Sequence, residues 1–159
     1  MKNTIVGRFN RDVMFSSKDL GWNTPKQLFD ELNEEWLFTL DPCTTKDNPL
    51  GTENFYTKDD DGLKQSWSNQ RVFVNPEYGR EYPKWVKKAY HEVREKDCLL
   101  AMLLIPARTD TKIFHEYCTK GEIWFLKGRL HFSGHKNPAP FPSMIVKYSW
   151  LDDLWMDEF

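Results

Sequence analysis

The sequence predicts an α/β fold in which a mostly parallel sheet carries helices on both faces. Three observations point there. Apolar, strand-like runs alternate with amphipathic helical segments, the order that builds parallel sheets. The run from Cys98 to Ile105 is continuously apolar between Asp97 and Pro106, as strands covered on both faces are. Two other strand-like runs end on polar turn formers, Asp41-Pro42 and Asn75-Pro76. In such sheets ligands bind beyond the carboxyl ends of the strands.

Residues 1–23 read as irregular. Thr24-Pro25-Lys26-Gln27 opens a helix, with Thr24 as N-cap, Pro25 in the first turn and Gln27 closing a capping box. Leu28, Phe29, Leu32 and Trp36 follow at helical spacing. Leu37 to Leu40 reads as a short buried strand ending at Asp41-Pro42. Residues 41–70 are polar and read mostly as loop, with a strand at Asn54–Thr57; a loop-rich stretch of that length is usually functional. Arg71–Val74 is the next strand. Pro83 starts a helix with Trp85, Val86, Ala89, Tyr90 and Val93 on one face. A third helix is expected over Asp110–Thr119, with Gly121 past its end. Glu122–Leu126 and Met144–Tyr148 read as strands, and Leu130-His131-Phe132 alternates like a hairpin arm.

The chain has 159 residues and a net charge of −2, which fits one globular domain with residues 22–148 as its core. Residues 149–159 form an acidic and aromatic tail. Its acids, Asp152, Asp153, Asp157 and Glu158, account for the negative balance, so charge neither indicates nor excludes a nucleic-acid partner. The eight-residue run Cys98–Ile105 is far shorter than the roughly 20 residues that span a bilayer. No signal-like apolar segment opens the chain. Three cysteines without a CxxC pair argue against a disulfide framework and suit a reducing cytoplasm. His131 and His135 lack accompanying cysteines, so they read as hairpin residues and no metal site is expected.

Asn75-Pro76-Glu77-Tyr78-Gly79 is the most informative segment. Asn-Pro is a common turn initiator, which is one reading. The other is recognition of a planar amine. The Asn75 amide oxygen and a backbone carbonyl are acceptors, and Tyr78 offers a flat face.

An ordered series of motifs extends the second reading. It runs Phe38-Thr39-Leu40-Asp41-Pro42-Cys43, then Asp60-Asp61-Gly62-Leu63 with Trp67, then Val72 through Gly79 with Trp85. Leu104-Ile105-Pro106-Ala107-Arg108-Thr109-Asp110-Thr111, Gly128-Arg129-Leu130-His131-Phe132 and Ala139-Pro140-Phe141-Pro142-Ser143 follow. In this order the series resembles the phage-type DNA N-6-adenine methyltransferases, from about Trp22 to Tyr148. The resemblance implies a Rossmann-like methyltransferase fold with an antiparallel C-terminal strand, S-adenosylmethionine as methyl donor and double-stranded DNA as partner. It implies Asn75, Pro76, Glu77 and Tyr78 as the catalytic turn. Trp22, Asn23, Thr24, Asp41, Pro42, Asp60, Asp61 and Leu63 would hold the donor. Arg80, Lys84, Lys88, Arg108, Arg129 and Lys136 would contact DNA phosphates, making binding salt-dependent. The enzyme would act as a monomer or weak homodimer.

Two departures stand out. Glu77 occupies a position where the family carries a second proline. Cys43-Thr44-Thr45-Lys46-Asp47-Asn48 replaces the glycine-rich turn common in methyltransferases. Two rivals therefore stay open: the same chemistry on a planar amine in RNA or protein, and a non-catalytic module on a decayed methyltransferase fold.

Overall fold

The computed structural model describes residues 23–132 and 135–150. Among these are strands β1 (Leu40–Thr44), β2 (Asn54–Thr57), β3 (Arg71–Val74), β4 (Leu100–Pro106), β5 (Glu122–Phe125) and β6 (Ser143–Ser149). Helices α1 (Lys26–Trp36), α2 (Tyr82–Glu95) and α3 (Lys112–Glu116) join them, with a 3₁₀ turn at Cys118–Lys120. The strands form one sheet in the order β2-β1-β3-β4-β6-β5. Pairings among β1, β2, β3 and β4 are parallel, whereas β6 runs antiparallel to both β4 and β5. The parallel sheet expected from the sequence is thus found in β1–β4, and β6 is the reversed C-terminal strand.

Both faces of the sheet are covered, because side chains alternate across each strand. Val72, Val74, Ala101, Leu103, Ile105, Met144 and Val146 share one cluster with Trp85, Val86 and Ala89 of α2. Phe73, Met102, Leu104 and Ile145 share the other with Leu28, Phe29 and Leu32 of α1. The apolar run read from the sequence is β4, and every residue of it is buried.

Several boundaries differ from the sequence reading. The first strand does not end at Asp41; it begins at Leu40 and continues through Pro42 to Thr44. Leu37 instead takes a left-handed conformation that closes α1, with its N–H on the Asn33 carbonyl. Thr24 is not the N-cap of α1. That position belongs to Pro25, without a side-chain cap, so no capping box forms with Gln27. The third helix is cut to five residues because the backbone turns at Tyr117, and Thr111 caps its start by accepting the Phe114 N–H. Leu130–Phe132 is not a strand: Leu130 and Phe132 are buried in the second cluster and tie down a loop. The β1–β2 connection contains no helix.

No helix of the described residues is long and apolar enough to cross a membrane.

Candidate active site at the carboxyl edge of the sheet

In this order the connection after β1 leads to β2 on one side and the connection after β3 leads to β4 on the other, which creates a topological switch point between β1 and β3. β1 and β3 are partnered at Leu40↔Val72. Beyond this pair β1 carries an irregularity between Asp41 and Thr44, a device that bends a strand and re-aims its side chains. The crevice that such a switch point implies falls between Asp41–Cys43 and the turn that follows Val74.

Asp41 is 4% exposed. Its Oδ1 accepts the Cys43 N–H at 3.2 Å. Burial pushes its carboxyl up to about 6, against hydrogen bonds from the Cys43 N–H and the Thr44 side chain. Both groups that favour its charged form are neutral. Cys43 joins the two sides of the crevice. Its thiol is pushed up to about 12, first by burial and then by Asp41, while the Glu77 backbone bonds to it. Glu77 itself is exposed.

The floor of the crevice is rigid. Gly62 is pressed so closely on Pro42 that a Cβ would lie 2.0 Å from the Pro42 carbonyl oxygen. The Gly62 carbonyl accepts the Trp67 Nε1–H at 3.0 Å, and Trp67, fully buried, stacks on Trp85 of α2 at 6.3 Å. Leu63 packs against the same cluster. The Asp60 carboxylate accepts the N–H and hydroxyl of Thr57, at 2.8 and 3.0 Å. These bonds hold its carboxyl below the usual carboxylate range. Asp61 has a left-handed backbone and faces Lys64 at 3.7 Å. Both aspartates therefore shape the turn at the carboxyl end of β2.

Across the crevice, the Tyr78 hydroxyl donates to Asn75 Oδ1 at 2.9 Å. The Tyr78 ring is not the open platform expected from the sequence. It stands edge-on to Phe132 and Phe141, with centroids 5.5 and 5.0 Å away. Burial raises its phenol far above the usual range, so it stays a donor. Pro76 is buried, and Gly79 adopts a positive φ of 109° that suits glycine.

The start of α1 reaches the same edge. Phe29, in its first turns, meets Phe73 at 5.3 Å, two residues before Asn75. Thr24 is buried and Asn23 exposed just ahead of that turn. Trp22 lies outside the described residues.

The basic residues divide. Arg80, Arg108, Arg129 and Lys136 are exposed in segments that leave the carboxyl edge. Lys84 is exposed on α2 and pairs with Glu81 at 3.2 Å. Lys88 is not a surface phosphate contact. Its side chain is 15% exposed, pairs with Glu92 at 2.8 Å, donates to the Gln65 carbonyl at 2.7 Å and lies over the Trp67 ring. Glu92, 1% exposed, also binds Lys96 at 3.0 Å and accepts the Trp67 N–H at 3.3 Å. The sequence reading passed over this network, although Lys88, Glu92 and Lys96 stand at the i, i+4 spacing of helical ion pairs. It also passed over the aromatic contacts of Tyr78, for which the sequence carried no local signal.

No curated protein and no solved structure shows a significant match to this chain. The family model described as DNA N-6-adenine-methyltransferase (Dam) matches residues 11–145. With that match over most of its length, the chain belongs to the DNA N-6-adenine-methyltransferase (Dam) family.

Proposed function

We propose that this protein transfers a methyl group from S-adenosylmethionine to the exocyclic amine of an adenine flipped out of duplex DNA, on a Rossmann-like methyltransferase fold. One observation carries the reading. A buried carboxylate with no cationic partner among the described residues lies on the strand beside the one that ends in an Asn-Pro-x-Tyr turn, at the switch point of the sheet.

The donor fits the residues present. It carries two positive charges, a sulfonium and an ammonium, and Asp41 is a buried anion balanced by neutral donors. When bound, it supplies an electrophilic methyl on a positively charged sulfur. Asp41 would hold the donor with Pro42, Leu63 and the turn of Asp60 and Asp61. Asn23 and Thr24, with Trp22, would meet it from the start of α1.

The adenine amine is a weak nucleophile because its lone pair is delocalised into the ring. The Asn75 Oδ1 and Pro76 carbonyl would accept its two hydrogens and draw the nitrogen toward tetrahedral geometry. An amide oxygen has two lone pairs, so Asn75 can serve the amine while it accepts the Tyr78 hydroxyl. Preorganised dipoles and positioning of this kind supply most of the acceleration. Tyr78 would stack on the base after turning from its edge-on packing, returning about 1–3 kcal/mol of the flipping cost.

The test is methyl transfer from labelled S-adenosylmethionine to unmethylated duplex DNA, followed by digestion to nucleosides. Labelled N6-methyladenine is expected. Asn75→Ala should lower transfer by about 10²–10³-fold, the usual cost of removing a preorganised catalytic group, with donor affinity unchanged. Glu77 and the absent glycine turn favour the rival reading, a non-catalytic module. A folded protein that neither binds the donor nor transfers a methyl group to any DNA would support that rival.

A further inference from the structure

The β5–β6 connection, residues 126–142, stands apart in composition. It carries Lys127, Arg129 and Lys136, with His131 and His135, and no acidic residue, within a chain of net charge −2. It also emerges at the carboxyl edge. Its first residue, Leu126, extends the ladder by donating to the Ser143 carbonyl at 3.0 Å, and Pro142 accepts the Ala107 N–H at 2.8 Å beside the end of β4.

This loop is built on a fixed base. Leu130, Phe132 and Ala139 are buried in the core on the α1 side. The Ala139 N–H bonds to the Leu130 carbonyl at 2.8 Å, and the His135 N–H to the Phe132 carbonyl at 3.2 Å. Between these anchors lies a concavity of about 290 Å³, lined by Phe132 and residues 135–140. It is at the small end of ligand pockets, a size for one flat ring. Among its lining residues Phe132 is buried, whereas Lys136 and Asn137 are exposed and supply an ammonium and an amide. Phe132 also touches Tyr78, so the concavity adjoins the turn where the target base would sit.

We propose that this concavity is a second nucleotide site, taking the DNA residue next to the target adenine. Asn137 reads the edge of that neighbouring base, and Lys136 holds its phosphate. An asparagine amide presents a donor and an acceptor together, the pattern that distinguishes bases by their edges, whereas a lysine contact carries no sequence information. This inference rests on the DNA substrate proposed above and adds to it where sequence selectivity resides.

The experiment uses the full chain with S-adenosylhomocysteine. Duplexes contain one adenine and differ in the base pairs flanking it. Donor-site affinity is measured by calorimetry, DNA affinity by fluorescence anisotropy over a salt series, and methylation in parallel with S-adenosylmethionine. The wild type is expected to rank the flanking pairs. Asn137→Ala should flatten that ranking by about tenfold, and Asn137→Asp, which keeps the shape, should change its order. Lys136→Ala should weaken all duplexes alike and reduce the salt slope by about one. Both should keep the wild-type affinity for S-adenosylhomocysteine, showing an intact fold. An unchanged ranking in both Asn137 variants overturns the inference alone. A wild type that binds S-adenosylhomocysteine yet neither binds nor methylates DNA overturns the DNA substrate reading, and this inference with it.

Discussion

Asp41 and Glu92 are both buried carboxylates, 4% and 1% exposed, yet the two regions treat the negative charge in opposite ways. Around Glu92, burial disfavours the charge, but Lys88, Lys96 and the Trp67 N–H outweigh it and hold the carboxyl below its usual range. Around Asp41, burial wins over two neutral donors and the carboxyl is pushed up to about 6. The Glu92 network ties α2 to Trp67, hence to Gly62 and Pro42. It braces the crevice from behind. Asp41, at the switch point, has no such compensation among the described residues. A buried charge that is fully paired serves the fold. One left without a counter-charge at a switch point is poised for a cationic ligand.

Exchanging the two carboxylates for amides separates these roles. Glu92→Gln strands the buried Lys88 ammonium and should cost about 3 kcal/mol, the scale for breaking a buried ion pair. Urea denaturation would show it as a lower midpoint. At a temperature where the variant is folded, donor affinity should stay near wild type. Asp41→Asn should do the reverse. Donor affinity should fall about 30-fold, or about 2 kcal/mol, the lower range for removing one charge of a buried pair, while the ligand-free protein becomes more stable at pH 7. If Asp41→Asn leaves the donor affinity unchanged, the crevice is not the donor site and the contrast between the two carboxylates loses its functional meaning.

Strand and helix identities were largely legible in the sequence because they rest on periodicity and punctuation. β2 and β3 match their expected spans, and α2 starts next to Pro83. Boundaries set by tertiary contacts were not. Pro42 marks the end of a strand by local rules, yet β1 carries it at an irregular position against Gly62. The two site segments, Asp41–Cys43 and Asn75–Tyr78, were found as polar residues at the ends of buried runs. Their meeting through Cys43 and the Glu77 backbone depends on the order of strands, which no local pattern encodes. Lys88 was misread for a related reason. On a helix its charge suggests solvent, and only the arrival of Gln65 and Trp67 from another segment shows that it is enclosed.

Gly62 links the two regions and provides a smaller perturbation. Gly62→Ala places a methyl against the Pro42 carbonyl, a backbone atom that cannot swing aside. The expected loss of stability is about 1–3 kcal/mol, the range for overpacking. Because the displaced group borders Asp41, donor affinity should fall too, unlike in Glu92→Gln. Calorimetric titration of both variants checks the difference. Equal donor affinities in the two would mean that the floor of the crevice does not set the position of Asp41.

The smallest expected effect is also the most specific, because its sign follows from Asp41 alone. Burial pushes its native carboxyl up to about 6 from the usual 3.8. Between those values the native state binds more protons than the unfolded chain, so the stability of the ligand-free protein declines as pH rises toward 6 and levels off above it. Glu92 has the opposite sign, since its lowered native value stabilises the fold above its usual 4.5 and that contribution disappears on acidification. A cationic donor requires Asp41 ionised, so its binding must run against the Asp41 stability trend. Affinity should be about tenfold weaker at pH 5 than at pH 7, both below the range where a donor amino group titrates. Asp41→Asn should abolish that difference while Glu92→Gln preserves it. A pH dependence that survives in Asp41→Asn would assign the titrating group elsewhere and separate donor binding from the Asp41 stability trend.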